Sequence, residues 1–228
     1  MSGAALADTL AQLEGLASEE QRQGHARFAL PVDGAFGVSM RDLRALQKRI
    51  GTDQDLALAL WQDGRYEARL LAGMIADPAA MDRDTVEAWI AGFDNWAVVD
   101  TLSFDLLDRL PFRWSLVDDH AGDEGEFQKR TAFALIWSLT RHDRRAPDDR
   151  FRHALDLIER EATDPRTYVF KAVDMALRAV GKRNAALHAD ALAAAGRLAD
   201  SDDRTASGIG RRAARELESP KVTERLKV

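Results

Sequence analysis

Apolar positions recur along this chain at three- and four-residue intervals, the spacing that gathers side chains on one face of an α-helix. Between Arg166 and Val180, the residues Val169, Val173, Ala176, Leu177 and Val180 form one such face, while Lys171, Met175 and Arg178 recur along another that extends past Val180 to Lys182. Alanine, leucine, arginine and glutamate dominate almost every segment, and β-branched runs and hairpin dipeptides are scarce. The pattern predicts helices near 4–16, 19–29, 39–50, 53–62, 65–76, 82–92, 94–109, 125–141, 148–162, 166–180, 185–199, 203–217 and 220–227. Ser18-Glu19-Glu20-Gln21 has capping-box spacing, and Ser219-Pro220 reads as an N-cap followed by proline in the first turn. Connections are short, as at Gly51-Thr52, Gly64, Asp77-Pro78, Pro111, Ala146-Pro147 and Asp164-Pro165, and no linker separates two domains. Short helices in pairs of about 35–45 residues predict an all-α solenoid of HEAT-like helical repeats, a single domain over residues 1–228. Such a stack makes a concave face from every second helix and presents it to an extended partner. The units are not self-similar, so a compact irregular helical domain is the alternative.

With 228 residues, 46% hydrophobic and 31% charged, the composition fits a globular protein with a real core. The absence of cysteine excludes disulfides and thiolate metal sites. Met1-Ser2-Gly3-Ala4-Ala5 is no export signal and no apolar stretch approaches membrane-spanning length, so the expected location is cytoplasmic, or nucleoid-associated in a bacterium. A net charge of −6 argues against binding polyanions through overall charge. Screening over roughly 8–10 Å makes local clusters decide instead. Lys129-Arg130, Arg141-His142-Asp143-Arg144-Arg145, Lys182-Arg183 and Arg211-Arg212 are such clusters.

Candidate chemistry concentrates on three helices. Trp96 and Asp100 stand one turn apart in an otherwise mostly apolar run, with Ser103 on the same face. A carboxylate placed there is either satisfied by a neighbouring helix or faces a groove containing its partner. Arg130, Phe133, Trp137 and Arg141 align on the helix over 125–141. That line reads either as aromatics bordering a nucleic-acid backbone or as core aromatics flanked by snorkelling arginines. The stripe of Lys171, Met175, Arg178 and Lys182 reads either as a phosphate track or as a solvated face, with Asp174 partly offsetting its charge. Gly208-Ile209-Gly210-Arg211 is expected to open a helix where a phosphate can bind. The five histidines lack metal-ligand spacing, and P-loop, dinucleotide and nucleophile motifs are missing, so no metal or cofactor is expected.

From Phe36 to Lys221 these segments resemble the DNA alkylation repair enzymes of the AlkD-like family, the HEAT-repeat alkylpurine DNA glycosylases. Phe36-Gly37-Val38…Leu43-Arg44 resembles the family's early segment, and Leu60-Trp61 with Tyr66-Glu67-Ala68-Arg69 its Leu-Trp…Glu-x-Arg helix pair. Trp96…Asp100 matches the catalytic Trp-x-x-x-Asp. Lys129-Arg130-Thr131-Ala132 is similar to the Arg-Arg-x-Ala stretch, which places Arg130 on the DNA-contacting arginine. Residues 170–178 resemble a Lys-Ala-Ile-Gly-Trp-Ala-Leu-Arg helix, except that Met175 replaces the second active-site tryptophan and Asp174 the glycine.

The resemblance implies hydrolysis of the N-glycosidic bond of 3-methyladenine and 7-methylguanine in double-stranded DNA. A solenoid groove can be complete in one chain, so a monomer is expected, and the lack of a spanning apolar stretch predicts no membrane contact. Asp100 and Trp96 are the expected catalytic residues; Lys129, Arg130, Trp137, Arg141, Lys171, Met175, Arg178 and Lys182 are the expected DNA contacts. Two alternatives stay open: a non-catalytic protein binding damaged or branched DNA, and a protein-interaction scaffold. The substitution at 175 leaves enzymatic activity undecided at this level.

Overall fold

The computed structural model describes residues 2–227, and the chain divides by internal contact into two compact units, the first ending at Pro111 and the second starting at Phe112. The secondary structure of the described residues is helical throughout. Unit 1 contains α1 (Ser2–Gly15), α2 (Glu19–His25), α3 (Met40–Ile50), α4 (Gln54–Asp63), α5 (Tyr66–Ile75), α6 (Arg83–Ala91) and α7 (Trp96–Asp105), with short 3-10 turns at Ala26–Phe28 and Leu107–Arg109. Unit 2 contains α8 (Arg113–His120), α9 (Glu126–His142), α10 (Asp148–Glu161), α11 (Thr167–Val180), α12 (Ala185–Ala199), α13 (Arg204–Leu217) and α14 (Pro220–Leu226). None of these helices is long and apolar enough to cross a membrane.

Local chemistry sets many of the helix starts. Ser18 accepts from the Gln21 amide, Asp53 from Leu56, Asp82 from Thr85, Asn184 from Leu187, and Asp203 from Thr205 and Ala206. Ser219 and Pro220 open α14 as expected, although the Ser219 hydroxyl donates backward to the Glu216 carbonyl at 2.6 Å instead of capping.

Packing then pairs the helices. In unit 1, α4 lies against α5, and α5 against α3 and α7. In unit 2, α9, α11 and α13 pack side by side, while α10 pairs with α12 beside them, the two-layer stacking of helical hairpins. Phe133, Phe151, Val173, Leu177 and Ile209 are wholly buried between these layers.

Three expectations need correction. Helix α8 was not foreseen: Phe112 makes no side-chain cap, and a helix of 8 residues is held by packing on α9 rather than by local signals. The helix expected over 94–109 stops at Asp105, where Leu106 leaves helical geometry at φ −133°. That break lets Leu106, Leu107 and Leu110 all enter the core, and Arg44 clamps Asp105 there through two bonds of 2.6 and 2.8 Å. Finally, Gly208-Ile209-Gly210 lies in mid-helix rather than at a helix entry, because Asp203 caps α13 further upstream. Gly210 is there for close approach: a Cβ would stand 2.2 Å from the Ala199 amide nitrogen and 2.5 Å from the Ala195 carbonyl oxygen.

Candidate nucleic-acid interface

The position of Trp96 and Asp100 in unit 1 follows from one buried side chain. Asn95 accepts from the amides of Ala97 and Val98 at 3.1 and 3.0 Å, which makes Trp96 the first residue of α7. Asp100 follows one turn later on the same face, and both residues are half-buried. Val98, Val99 and Leu102 turn into the core. Ser103, expected on the accessible face, is fully buried instead, and its hydroxyl has no hydrogen-bond partner among the described residues.

Residues upstream brace this helix start. Arg69 donates to the Asp94 carboxylate at 2.9 Å and to the Gly92 carbonyl at 2.6 Å, while its guanidinium lies 4.5 Å from the Trp61 ring. Trp61 in turn stacks on Trp89 at 4.4 Å. Glu67, completely buried, accepts the amides of Phe36, Gly37 and Val38 at 2.9, 2.7 and 3.1 Å. The Leu-Trp…Glu-x-Arg segment is therefore the support behind α7. The Trp96 indole N–H donates to the Phe28 carbonyl at 2.8 Å, pinning the segment before α3 against the candidate site.

In unit 2 the predicted contacts separate into buried and accessible groups. Lys129 is buried, with its ammonium 2.7 Å from Glu161 and 3.2 Å from Asp164. Hydrogen bonding to Arg166 lowers the Asp164 carboxyl to about 2 against the push of burial, and Lys129 adds to that. Arg130, 3% exposed, donates to the Tyr168 carbonyl at 2.8 Å and so ties α9 to α11. Phe133 is core, as the snorkelling alternative held; Trp137 is half-buried and Arg141 exposed.

On α11, Lys171 is exposed, with its ammonium 5.6 Å from the Tyr168 ring centre. Met175 is half-buried. Arg178 and Lys182 are both drawn onto Glu216 of α13, Lys182 at 2.6 Å. Asp174 is 4% exposed, bonded to Arg178 at 2.7 Å and 3.7 Å from the Arg212 guanidinium. Burial pushes its carboxyl above the ordinary value, and the two arginines offset this only in part. The aspartate thus turns inward into a charge network between α11 and α13.

Trp137, Arg141 and Lys182 converge on one cleft of about 690 Å³ within unit 2. Arg183, Lys221 and Arg225 also line it. Sequence reasoning did not assign Lys221 or Arg225 to a site, because helical periodicity reports faces within one helix and not contacts between helices. The signal that joins them is tertiary: Arg225 donates to the Lys182 carbonyl at 2.8 Å, anchoring α14 beside α11. No group of three or more His, Cys, Asp or Glu side chains suited to a metal ion occurs among the described residues.

Comparison with protein families matches residues 9–217 to a family described as DNA alkylation repair enzyme. Curated proteins return no match. Among solved structures, the fold is similar to one described as belonging to "a new family of proteins related to the HEAT-like repeat DNA glycosylases with affinity for branched DNA structures". The TM-score is 0.77 at 20% identity, covering 93% of this chain and 95% of that one. A designed armadillo repeat protein bound to a (KR)4 peptide aligns over 94% of this chain and 91% of its own, at 11% identity and a TM-score of only 0.37.

Proposed function

We propose that this chain, which belongs to the DNA alkylation repair enzyme family, removes cationic alkylated purines from duplex DNA by hydrolysing the N-glycosidic bond. The observation that supports this reading is the Asn95 cap, which holds an indole and a carboxylate one turn apart on a braced helix. A purine alkylated at N3 or N7 already carries positive charge and leaves without a general acid. What remains is to stabilise the oxocarbenium ion growing on the sugar and to place the attacking water. Asp100 supplies the negative charge for both tasks, and Trp96 offers its π-face to the cationic nucleotide, worth roughly 0.5–2 kcal/mol. The exposed Lys171 and Arg141 take phosphates directly; Arg178 and Lys182 do so by sharing or exchanging Glu216.

The test is base release from duplexes containing 7-methylguanine or 3-methyladenine. Removing one preorganised electrostatic partner costs about 2.7–4 kcal/mol, so Asp100→Asn should slow release about 10²–10³-fold. Release that is absent in the wild type, or indifferent to the substitution, overturns the catalytic reading.

A second reading is favoured by Met175 and Asp174. Methionine offers a polarizable contact without an indole quadrupole, and Asp174 is engaged with Arg178. On that reading the protein binds damaged or branched DNA without cutting it, in keeping with the branched-DNA affinity ascribed to the structural relative. It requires salt-dependent binding and no base release.

A further inference from the structure

We propose that the cleft at the ends of α9, α11, α13 and α14 binds one unpaired nucleotide of a DNA strand, its base against Trp137 and its phosphates on Arg141 and Lys221. The proposal rests on the DNA-binding reading above but not on glycosidic hydrolysis.

Size and shape argue for a nucleotide rather than a duplex. A recess of about 690 Å³ falls within the range of roughly 300–1,000 Å³ typical of sites that enclose a small ligand, whereas a duplex backbone lies along an open surface. Both its walls and its charge are built in. Arg183 donates to the carbonyls of Thr140, Asp143 and Ala146 at 3.1, 3.0 and 3.2 Å, closing the turn after α9. Arg225 closes the opposite side through the Lys182 carbonyl. These carbonyls carry only the partial negative charge of a helix C-terminus, about half a charge, so the guanidiniums are offset in part and remain net cations at the wall.

Glu216 is the sole carboxylate lining the cleft among the described residues, and it is already shared by Arg178 and Lys182. Arg141 and Lys221 are exposed and pair with no carboxylate among the described residues. A chain of net charge −6 thus concentrates cations around a half-buried indole. A second recess of about 360 Å³ shares Arg141 and Arg183 and adds Arg144, which continues the positive surface for a neighbouring phosphate. Cationic walls with an aromatic platform suit a single strand, because every base has a π-face to stack and every linkage a charge to meet.

The experiment compares binding of a labelled blunt duplex with the same duplex carrying a three-nucleotide single-stranded overhang, by fluorescence anisotropy over a salt series. The full chain is used as wild type, Trp137→Ala, and the double variant Arg141→Gln with Lys221→Gln. The wild type should prefer the overhang. Trp137→Ala should weaken overhang binding about tenfold, the scale of one lost base-stacking contact. The double variant, at two exposed positions that do not test folding, should flatten the log K against log salt slope for the overhang by about 1.4, or 0.7 for each of two single-strand phosphates. Both variants should lose less on the blunt duplex than on the overhang, because of the substituted residues only Arg141 also meets a duplex phosphate, a slope change of about 0.9. Duplex binding without overhang preference, or equal losses on both substrates, overturns this proposal alone. Failure to bind either substrate at low salt overturns the DNA reading and this proposal with it. Base release that disappears in Asp100→Asn speaks to the hydrolytic reading and leaves the cleft untouched.

Discussion

Replacing Lys129 by methionine separates a buried structural cation from a DNA-contacting one. The ammonium sits between Glu161 and Asp164, with side chains 10, 14 and 11% exposed. Removing one member of a buried ion pair costs about 3–5 kcal/mol when the remaining charge is orphaned. Here Arg160 stays on Glu161 and Arg166 stays on Asp164, so the carboxylates keep partners and the cost falls to about 2 kcal/mol. For a chain of this length that lowers Tm by about 4–8 °C. The pH dependence gives a second signature. Asp164 is lowered from 3.8 to about 2, by hydrogen bonds from Arg166 first, with burial opposing and Lys129 assisting. Burial raises Glu161, but bonds from Lys129 and Arg160 outweigh it and leave the carboxyl below 4.5. A lowered carboxyl contributes stability that is fully present above its unfolded value and lost as pH falls through the folded one. The Tm gap between wild type and Lys129→Met should therefore be widest at pH 7 and close between pH 4.5 and about 2. Thermal unfolding by circular dichroism across that range measures it, with DNA binding followed against salt in parallel. An unchanged Tm together with a salt slope flatter by about 0.9 would identify Lys129 as a phosphate ligand and refute the reasoning.

Glu67→Gln removes the charge that accepts three amides and puts an NH2 against at least one of them, while its single oxygen can keep at most the Gly37 and Val38 bonds; stability should fall by about 2–3 kcal/mol in urea unfolding, and a loss under 0.5 kcal/mol would contradict the assigned role. Trp96→Phe deletes the bond to the Phe28 carbonyl, about 1 kcal/mol of local restraint, so chymotrypsin should cut faster near the exposed Phe28 while global Tm barely moves. Cleavage unchanged in rate means the 26–28 turn does not depend on the indole. Gly210→Ala forces a methyl against the Ala199 and Ala195 backbone of α12; a cost of about 1–3 kcal/mol is expected, against the slight gain that alanine brings to an unobstructed helix position.

Helix positions were legible because a period of three to four residues needs only neighbours along the chain, and because Ser18, Asp53, Asp82, Asn95 and Asn184 each satisfy amides within three residues of themselves. The Trp96–Asp100 face was legible for the same reason. Helix α8 escaped because its stability comes from α9 and not from a cap. The basic stripe on α11 was legible as a stripe, but its discharge onto Glu216 was not, since that partner lies 38 residues from Arg178 and 34 from Lys182.

Spacing along the chain also made Lys129 and Arg130 look like the start of an accessible basic surface. Their burial was decided by Glu161, by Asp164 and by the Tyr168 carbonyl 38 residues beyond Arg130. The sequence by itself determined an all-helical chain, its capped starts, the carboxylate one turn after an indole, and membership in a recognisable family. Only tertiary structure decided which cations remain available and that Trp137, Arg141 and Lys221 line one cleft. The physical reason is range: hydrogen-bonded helices and caps act between residues a few positions apart, whereas burial and charge pairing depend on which helices meet, and that is settled only when the whole core packs.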